Sequence, residues 1–210
     1  MNQSYICIEG NIGAGKTSFA TRFAAEKNST LILEQFADNP FLPGFYENPQ
    51  RFAFALELFF MAERYQQLKE NSSGSGLFER GIVSDYLFVK SMLFARVNLS
   101  EEEFRLYSRL FEIIYQTLPQ PDLLVYLHCP VERLMENIRK RGRGYEKNIS
   151  AEYLGQIQET YFNFFRTKKE WKILIIDISG IDFVNNETDY KKICGLINAE
   201  IKTGITRVIL

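Results

Sequence analysis

One glycine-rich turn limits the folds open to this chain more than any other stretch. Residues 10–17 fit the pattern G-x-x-x-x-G-K-[ST]; in order they are Gly10, Asn11, Ile12, Gly13, Ala14, Gly15, Lys16 and Thr17. The apolar residues 5–8 before it predict a buried strand, and a helix is expected from about residue 15. Glycines let consecutive backbone N–H groups face one anion, and the helix N-terminus adds its positive dipole end. The stretch is therefore a predicted phosphate-binding loop, or P-loop.

The motif also predicts which side chains meet a nucleoside triphosphate. Lys16 brings a point charge to the β- and γ-phosphates, and the Thr17 hydroxyl is placed to bind Mg²⁺. We expect ATP and Mg²⁺ as the ligands. Ser18, at the start of the same helix, and Arg139, in a basic segment further along the chain, complete the predicted ATP site.

Bulk properties exclude several classes of protein. The 210 residues, 46% hydrophobic and 24% charged, predict one globular domain over residues 1–210. A net charge of −1 gives no basic field to hold a nucleic acid polymer. No apolar run has membrane-spanning length, and no secretion signal is expected. Cys7, Cys129 and Cys194 lack a metal-ligand pattern, and Cys7 and Cys129 are predicted to be buried free thiols of a cytoplasmic protein.

Predicted strands and helices alternate along the chain. The strands are residues 5–8, 31–33, 82–85, 123–127 and 173–178. The helices are residues 16–27, 50–69, 86–97, 100–117, 131–141, 150–167 and 188–202. Residues 38–49, rich in Pro, Gly and Asn, are expected to break helices. The alternation predicts an α/β P-loop kinase fold, in which helices flank a five-stranded parallel sheet on both faces.

Two acidic residues stand at the ends of predicted strands. Ligands bind beyond the carboxyl ends of parallel strands, so Glu34 and Asp85 are expected near the P-loop. Glu34 is a candidate general base for an attacking hydroxyl, or alternatively a helix cap or a surface charge. Asp85 is a candidate for Mg²⁺ coordination or for bonding the acceptor hydroxyl. Glu79 is a competing acidic residue, but Asp85 is preferred because the apolar run ends at it.

A carboxylate lies inside a nearly all-apolar predicted helix, where it is costly unless it is paired. Glu57 and Arg64 are seven residues apart, two helical turns, and share one face. The pair either joins helices in the core or reads the edge of a nucleobase in an aromatic pocket. The spacing leaves both interpretations open.

A basic segment interrupted by glycines predicts a lid over residues 139–149. It begins Arg139, Lys140, Arg141, Gly142, Arg143 and Gly144. Arginine neutralises charge spread over phosphate oxygens, and glycine hinges suit a lid that closes over ATP. The alternative is a solvated helix C-terminus, which the helix dipole favours. The P-loop elsewhere in the chain favours the lid.

Four strings of residues occur together in this chain. They are the P-loop, Glu34 followed by Asp38-Asn39-Pro40, Phe45-Tyr46 ahead of Pro49-Gln50-Arg51-Phe52, and Lys140-Arg141-Gly142-Arg143-Gly144-Tyr145-Glu146. Many NTPases share the first, whereas its combination with the basic string is much more specific. Over nearly its whole length the chain resembles the deoxynucleoside kinases, in particular the bacterial deoxyguanosine and deoxyadenosine kinases.

The resemblance implies catalytic roles for several residues in addition to Lys16, which binds the phosphates. Glu34 resembles the family's general base for the 5′-hydroxyl. Tyr46 and Glu146 resemble the pair that holds the sugar 3′-hydroxyl and favours deoxyribose. Arg141 and Arg143 resemble the lid arginines that contact the phosphates.

Further residues resemble the part of the family's site that binds the base. Glu57 stands where many relatives have a base-reading glutamine, and Arg64 stands where they have an arginine. Phe94 resembles the aromatic residue that stacks on the base. A carboxylate only accepts hydrogen bonds, and guanine presents two adjacent donors, N1–H and N2–H. The sequence therefore predicts a preference for deoxyguanosine, with deoxyadenosine next.

The end of the third predicted strand departs from the family pattern. Many relatives carry an acidic–Arg–Ser triplet there, whereas this chain has Asp85-Tyr86-Leu87. With the arginine missing, its work is expected to fall to the lid or to Arg80.

The resemblance implies an ATP- and Mg²⁺-dependent kinase that phosphorylates the 5′-hydroxyl of a purine deoxynucleoside in nucleotide salvage. Its expected partners are small molecules and a second copy of the chain, in a homodimer formed through aromatic helices. Two alternatives remain open. A nucleoside monophosphate kinase of thymidylate-kinase type would want arginines rather than Glu34 at its anionic acceptor. The other alternative is a non-catalytic NTP-binding regulatory protein.

Overall fold

One parallel sheet organises the part of the chain that the computed structural model describes, residues 5–35, 39–72 and 81–210. Its six strands are β1 (Tyr5–Gly10), β2 (Thr30–Ile32), β3 (Ile82–Ser84), β4 (Leu123–His128), β5 (Lys172–Asp177) and β6 (Gly204–Ile209). They lie in the order β2–β3–β1–β4–β5–β6, and every neighbouring pair is parallel. The predicted parallel sheet is confirmed, but the prediction of five strands is wrong.

The missed strand, β6, lies at the edge of the sheet beside β5. Its residues alternate between half-buried and exposed, and Ile209 is 75% exposed. A short segment that mixes Thr206 and Arg207 with isoleucines carries little signal of its own, because strand preference depends strongly on packing against a neighbour. Pairing with β5 makes this segment a strand.

The described residues also contain eight α-helices. They are α1 (Lys16–Lys27), α2 (Leu42–Glu47), α3 (Pro49–Ser72), α4 (Lys90–Asn98), α5 (Glu101–Tyr115), α6 (Val131–Arg141), α7 (Ala151–Thr167) and α8 (Glu187–Asn198). Helix α2 lies where helix breaking was predicted; Pro43 is tolerated because it sits in the first turn, where no N–H is needed. Helix α4 begins at Lys90, four residues later than predicted. None of these helices combines the length and apolar character that a membrane crossing needs.

The side chains of the strands alternate between two helical layers. Ile8 and Val125 face one side, where they pack with α1, α6 and α8. Cys7 and Leu124 face the other side, where they pack with α3, α4, α5 and α7. Helices therefore cover both faces, as predicted. Cys7 and Cys129 are buried free thiols, which is also confirmed.

The strand order brings three carboxyl ends together. Strand β3 lies between β1 and β2, so the P-loop after β1, Glu34 after β2 and Asp85 after β3 meet at one edge. Strand β4 lies on the other side of β1. Ligands of open α/β sheets bind at such a reversal of strand order.

Candidate active site

A cavity opens at the carboxyl edge of the sheet, with a volume of about 800 Å³ including its mouth. Part of its wall comes from the P-loop and the start of α1, through Ile12, Gly13, Lys16 and Thr17. Apolar and aromatic side chains form another part: Leu42, Phe45, Leu56, Phe60, Phe94 and Tyr153. Such a cavity suits a ligand that has both an anionic group and a flat apolar group.

The P-loop has the backbone shape that anion binding needs. Gly13 and Gly15 have φ angles of 85° and 83°, in the left-handed region that glycine adopts without strain. The Lys16 ammonium donates to the Asn11 carbonyl at 3.0 Å, and the Asn11 amide donates to a carbonyl of α7 at 2.8 Å. Burial, followed by the nearby charge of Lys90, lowers the pKa of Lys16 to about 8. The loop is therefore anchored, and its lysine is desolvated at the cavity.

Not every predicted ATP-site residue reaches the cavity. Gly10 and Ala14 are buried and do not line the cavity. Ser18 is exposed on α1. Arg139 is exposed in the last turn of α6, and it does not line the cavity in the described part of the chain.

Asp85 joins the P-loop to the end of β2. Its Oδ2 accepts a hydrogen bond from the Thr17 hydroxyl at 2.5 Å, and its Oδ1 accepts one from the Glu34 backbone N–H at 2.7 Å. Asp85 and Thr17 both line the cavity beside the loop. Their oxygen atoms fit Mg²⁺, which is held by one or two carboxylates together with substrate phosphates. Glu79, the competing acidic residue, lies outside the described residues, as does Arg80.

Glu34 is held between two cations. Its Oε1 accepts from Arg64 Nε at 2.9 Å and from Nη2 at 2.5 Å, and its Oε2 accepts from Lys90 Nζ at 2.6 Å. Burial opposes the ionisation of Glu34, but the charges of Lys90 and Arg64 outweigh it and hold the pKa well below its usual range. Glu34 is therefore an ionised and oriented carboxylate at the cavity wall.

Lys90 is a site residue that the sequence analysis missed. It lies at the start of α4, is 4% exposed, and its ammonium sits 5.2 Å from the centre of the Phe94 ring. The available signal was a lone charge inside the apolar run 86–95. Lys90 is the second cation on Glu34.

Glu57 and Arg64 do not form an ion pair with each other, so the interpretation that they pair directly in the core is wrong. Arg64 binds Glu34 and donates to the Ser91 hydroxyl at 2.8 Å. Glu57 lines the cavity, and its Oε1 accepts from Asn98 Nδ2 at 2.6 Å. Burial raises the pKa of Glu57 to about 7, although Arg64 and Asn98 act in the opposite direction.

The predicted lid contains a short 3₁₀ helix, Gly144–Asn148, rather than an open loop. Glu146 is buried and accepts from Arg141 Nε at 3.1 Å, from Arg141 Nη2 at 2.6 Å and from Arg143 Nη1 at 3.5 Å. The Tyr46 ring stacks on Tyr145, with centroids 6.4 Å apart. Burial and the charge of Glu146 raise the pKa of Tyr46, so this phenol stays neutral. Tyr46, Glu146 and both arginines line the same cavity.

Comparison with known proteins identifies the family. A family model described as deoxynucleoside kinase matches residues 6–202. The deoxyguanosine kinase of Bacillus subtilis is 34% identical over 193 residues, which are 90% of this chain and 93% of that protein. The chain belongs to the deoxynucleoside kinase family. It is therefore a phosphotransferase that acts on a hydroxyl group.

Other relatives of this kinase agree with that assignment. The deoxyadenosine kinase of Dictyostelium discoideum is 30% identical over 202 residues, which are 95% of this chain and 80% of that protein. The solved structure of a deoxyadenosine kinase from M. mycoides, with products dCMP and dCDP bound, matches with a TM-score of 0.80. That match covers 92% of this kinase and 98% of that chain at 22% identity, and it shows the shared fold alone.

The raised pKa of Glu57 predicts a pH-dependent stability. Between pH 4.5, the ordinary pKa of a glutamate, and about pH 7, Glu57 keeps its proton in the folded kinase but has released it in the unfolded chain. The free energy of unfolding is therefore expected to fall as pH rises through this window, by at most about 1.4 kcal/mol per pH unit, and to level off above it. Replacing Glu57 by glutamine removes this contribution.

Urea unfolding of the wild type and Glu57→Gln at pH values from 4.5 to 8 measures this difference. The wild type should lose stability relative to Glu57→Gln up to about pH 7. Glu47→Gln, at an exposed position on α2, is the matched control and should parallel the wild type. A constant difference between the wild type and Glu57→Gln would contradict the raised pKa.

Proposed function

We propose that this kinase transfers the γ-phosphoryl group of ATP to the 5′-hydroxyl of a purine deoxynucleoside in nucleotide salvage, with deoxyguanosine preferred to deoxyadenosine. One observation carries the proposal: a single cavity joins the P-loop lysine, the Glu34 carboxylate and an aromatic pocket that holds Glu57. The first two suit a phosphoryl donor and a hydroxyl, and the third suits a purine. Similarity to deoxyguanosine and deoxyadenosine kinases supports a purine acceptor.

In this proposal the donor phosphates lie on the P-loop. The loop N–H groups and Lys16 hold the β- and γ-phosphates. Thr17 and Asp85 hold Mg²⁺, which supplies positive charge to the phosphate oxygens when bound. Arg141 and Arg143 leave Glu146 and turn to the phosphates when the lid closes.

Glu34 orients the 5′-hydroxyl and accepts its proton late in the transfer. With its pKa held low by two cations, Glu34 is a weak base towards a free hydroxyl. The transition state of phosphoryl transfer is loose in most analyses, so the attacking oxygen bonds only partly to phosphorus before its proton leaves. An ionised carboxylate held in one orientation is suited to both tasks.

The remaining site residues hold the nucleoside. Tyr46 and Glu146 bind the 3′-hydroxyl, and Phe94 stacks on the base. Glu57 accepts from guanine N1–H and N2–H, which present two donors to its two oxygens. Arg64 acts through Glu34, which it holds in place.

We extend the proposal to the assembly and location of the kinase. Residues 1–210 form one kinase domain with a lid at 139–149, and the protein is a cytoplasmic homodimer. Helix α5 exposes Leu106, Leu110 and Ile113, which are 51%, 37% and 70% exposed and repeat at helical spacing. Such an apolar stripe suits a partner helix. The free cysteines support a reducing compartment.

An acceptor panel tests the proposed reaction. ADP release from ATP and Mg²⁺ should depend on a nucleoside, with the highest kcat/KM for deoxyguanosine, then deoxyadenosine, and lower values for guanosine. Phosphorylation of dGMP but not deoxyguanosine would indicate a nucleoside monophosphate kinase instead. Slow ATP hydrolysis that no acceptor stimulates would indicate a regulatory NTP-binding protein.

Replacing Glu34 by glutamine should lower kcat by ~10²–10⁴-fold, because the amide cannot accept the hydroxyl proton. ATP affinity should change little, since the P-loop is intact. Steady-state kinetics and ATP titration measure both quantities, and thermal unfolding checks that the variant folds. Glu47→Gln, exposed on α2, is the control. Near-normal turnover of Glu34→Gln would exclude this residue as the proton acceptor.

Lys90 is proposed as a positioning residue that keeps Glu34 ionised and in place. Lys90→Met should lower kcat by roughly 10²-fold, on the scale of removing one preorganised donor from an active site, with little change in the KM for ATP. Lys90→Arg keeps the positive charge and should recover most of the lost activity. Equal losses in both variants would show that packing, rather than charge, is what Lys90 contributes.

A further inference from the structure

One oxygen of Glu57 is buried and has no hydrogen-bond partner among the residues that the structure describes. Glu57 is 2% exposed, it lines the cavity, and its Oε2 has no hydrogen-bond partner in the described part of the chain. A buried, unsatisfied carboxylate oxygen is costly, so it is retained where a ligand completes it. Because Glu57 lines the cavity, we expect a polar group of a ligand bound there to complete this oxygen.

Asn98, the last residue of α4, determines the state of the other oxygen. Its Nδ2 donates to Glu57 Oε1 at 2.6 Å. An amide N–H₂ group only donates, so Oε1 has to remain an acceptor whether or not Glu57 is protonated. When Glu57 takes up a proton, that proton lies on Oε2. The protonated residue then presents a donor beside an acceptor, and the ionised residue presents two acceptors.

These two states match the two purine bases. Guanine carries adjacent donors, N1–H and N2–H, which fit two carboxylate oxygens. Adenine carries the N1 acceptor beside the N6–H donor, which fits the Oε2–H donor beside the Oε1 acceptor. Each base therefore makes two hydrogen bonds with one state of Glu57 and meets an unfavourable contact in the other.

We propose that the protonation state of Glu57 selects the base: the ionised residue binds deoxyguanosine and the protonated residue binds deoxyadenosine. The inference rests on the proposed function, because it concerns the acceptor nucleoside of that reaction. Asn98 is the positioning residue that assigns the proton to Oε2.

The groups around Glu57 allow both states near neutral pH. Burial raises its pKa to about 7, with Arg64, Asn98 and Lys90 acting to lower the pKa and Glu34 acting to raise it. Three phenols also interact electrostatically with Glu57. They are Tyr46 on α2, Tyr107 on α5 and Tyr153 on α7. Burial raises the pKa of each phenol, so all three stay neutral across this range.

A ratio of specificities tests the inference without knowledge of the pKa. kcat/KM for deoxyguanosine and for deoxyadenosine is measured with ATP and Mg²⁺ from pH 6 to 8.5 at constant ionic strength. The ratio of the two values should rise about tenfold per pH unit, because the ratio of ionised to protonated Glu57 changes by that factor. Titration of Lys16, of Glu34 or of the ATP phosphates affects both acceptors equally and cancels.

Two variants separate charge selection from simple packing. In Glu57→Gln the side chain carries no titrating proton, so the ratio should become independent of pH. Asn98→Ala loses a donor that favours the ionised form. Its ratio should therefore fall below that of the wild type at every pH while the tenfold slope remains. Thermal unfolding confirms that each variant is folded.

The possible outcomes distinguish this inference from the proposed function. A pH-independent ratio in the wild type, with both nucleosides phosphorylated, would overturn the selection by Glu57 and leave the kinase activity in place. The selection by Glu57 would also be overturned if the ratio of kcat/KM values still rose with pH in Glu57→Gln. It would be overturned as well if deoxyadenosine were not phosphorylated at any pH. If neither nucleoside is phosphorylated, the proposed function fails, and the inference fails with it.

Discussion

The ion pairs of Glu34 connect the parts of this site more than any other interaction. Arg64 on α3 and Lys90 on α4 both bind the Glu34 carboxylate, whose backbone N–H binds Asp85, which in turn binds Thr17 beside the P-loop. Two helices of one layer are thus joined to the phosphate loop through one chain of polar contacts. Breaking a buried ion pair by removing one partner typically costs roughly 3–5 kcal/mol, so each member depends on the others.

Glu34, which is half-buried, and Glu57, which is buried, line one cavity and have opposite properties. Paired cations hold the pKa of Glu34 low, whereas Glu57, whose partner Asn98 is neutral, has a pKa raised by burial. Environment alone separates them, as in enzymes that hold acid and base roles in one site. In the proposed reaction the low-pKa carboxylate serves the phosphoryl transfer, and the other carboxylate is suited to a neutral heterocycle that presents donors or acceptors.

Local sequence patterns predicted most of the fold. The elements that the prediction missed were missed for physical reasons. Apolar runs of the central strands and the amphipathic helix α6 carry strong signals, because burial on one or both faces imposes a period on the sequence. Edge strand β6 and the short helix α2, of six residues, carry weak signals. The state of β6 comes from pairing with β5, and α2 packs against α3 in a small cluster that includes Phe45.

For the site, the sequence by itself determined the P-loop, the strand-end residues Glu34 and Asp85, and the family, because these depend on residue order and on the direction of parallel strands. Only the tertiary structure decided what each carboxylate contacts. Lys90 and Asn98 come from the two ends of α4, a helix whose position beside α3 no local pattern specifies. Lys90 and Asn98 contact their glutamates over a few ångströms in the folded chain. Sequence spacing does not specify these distances.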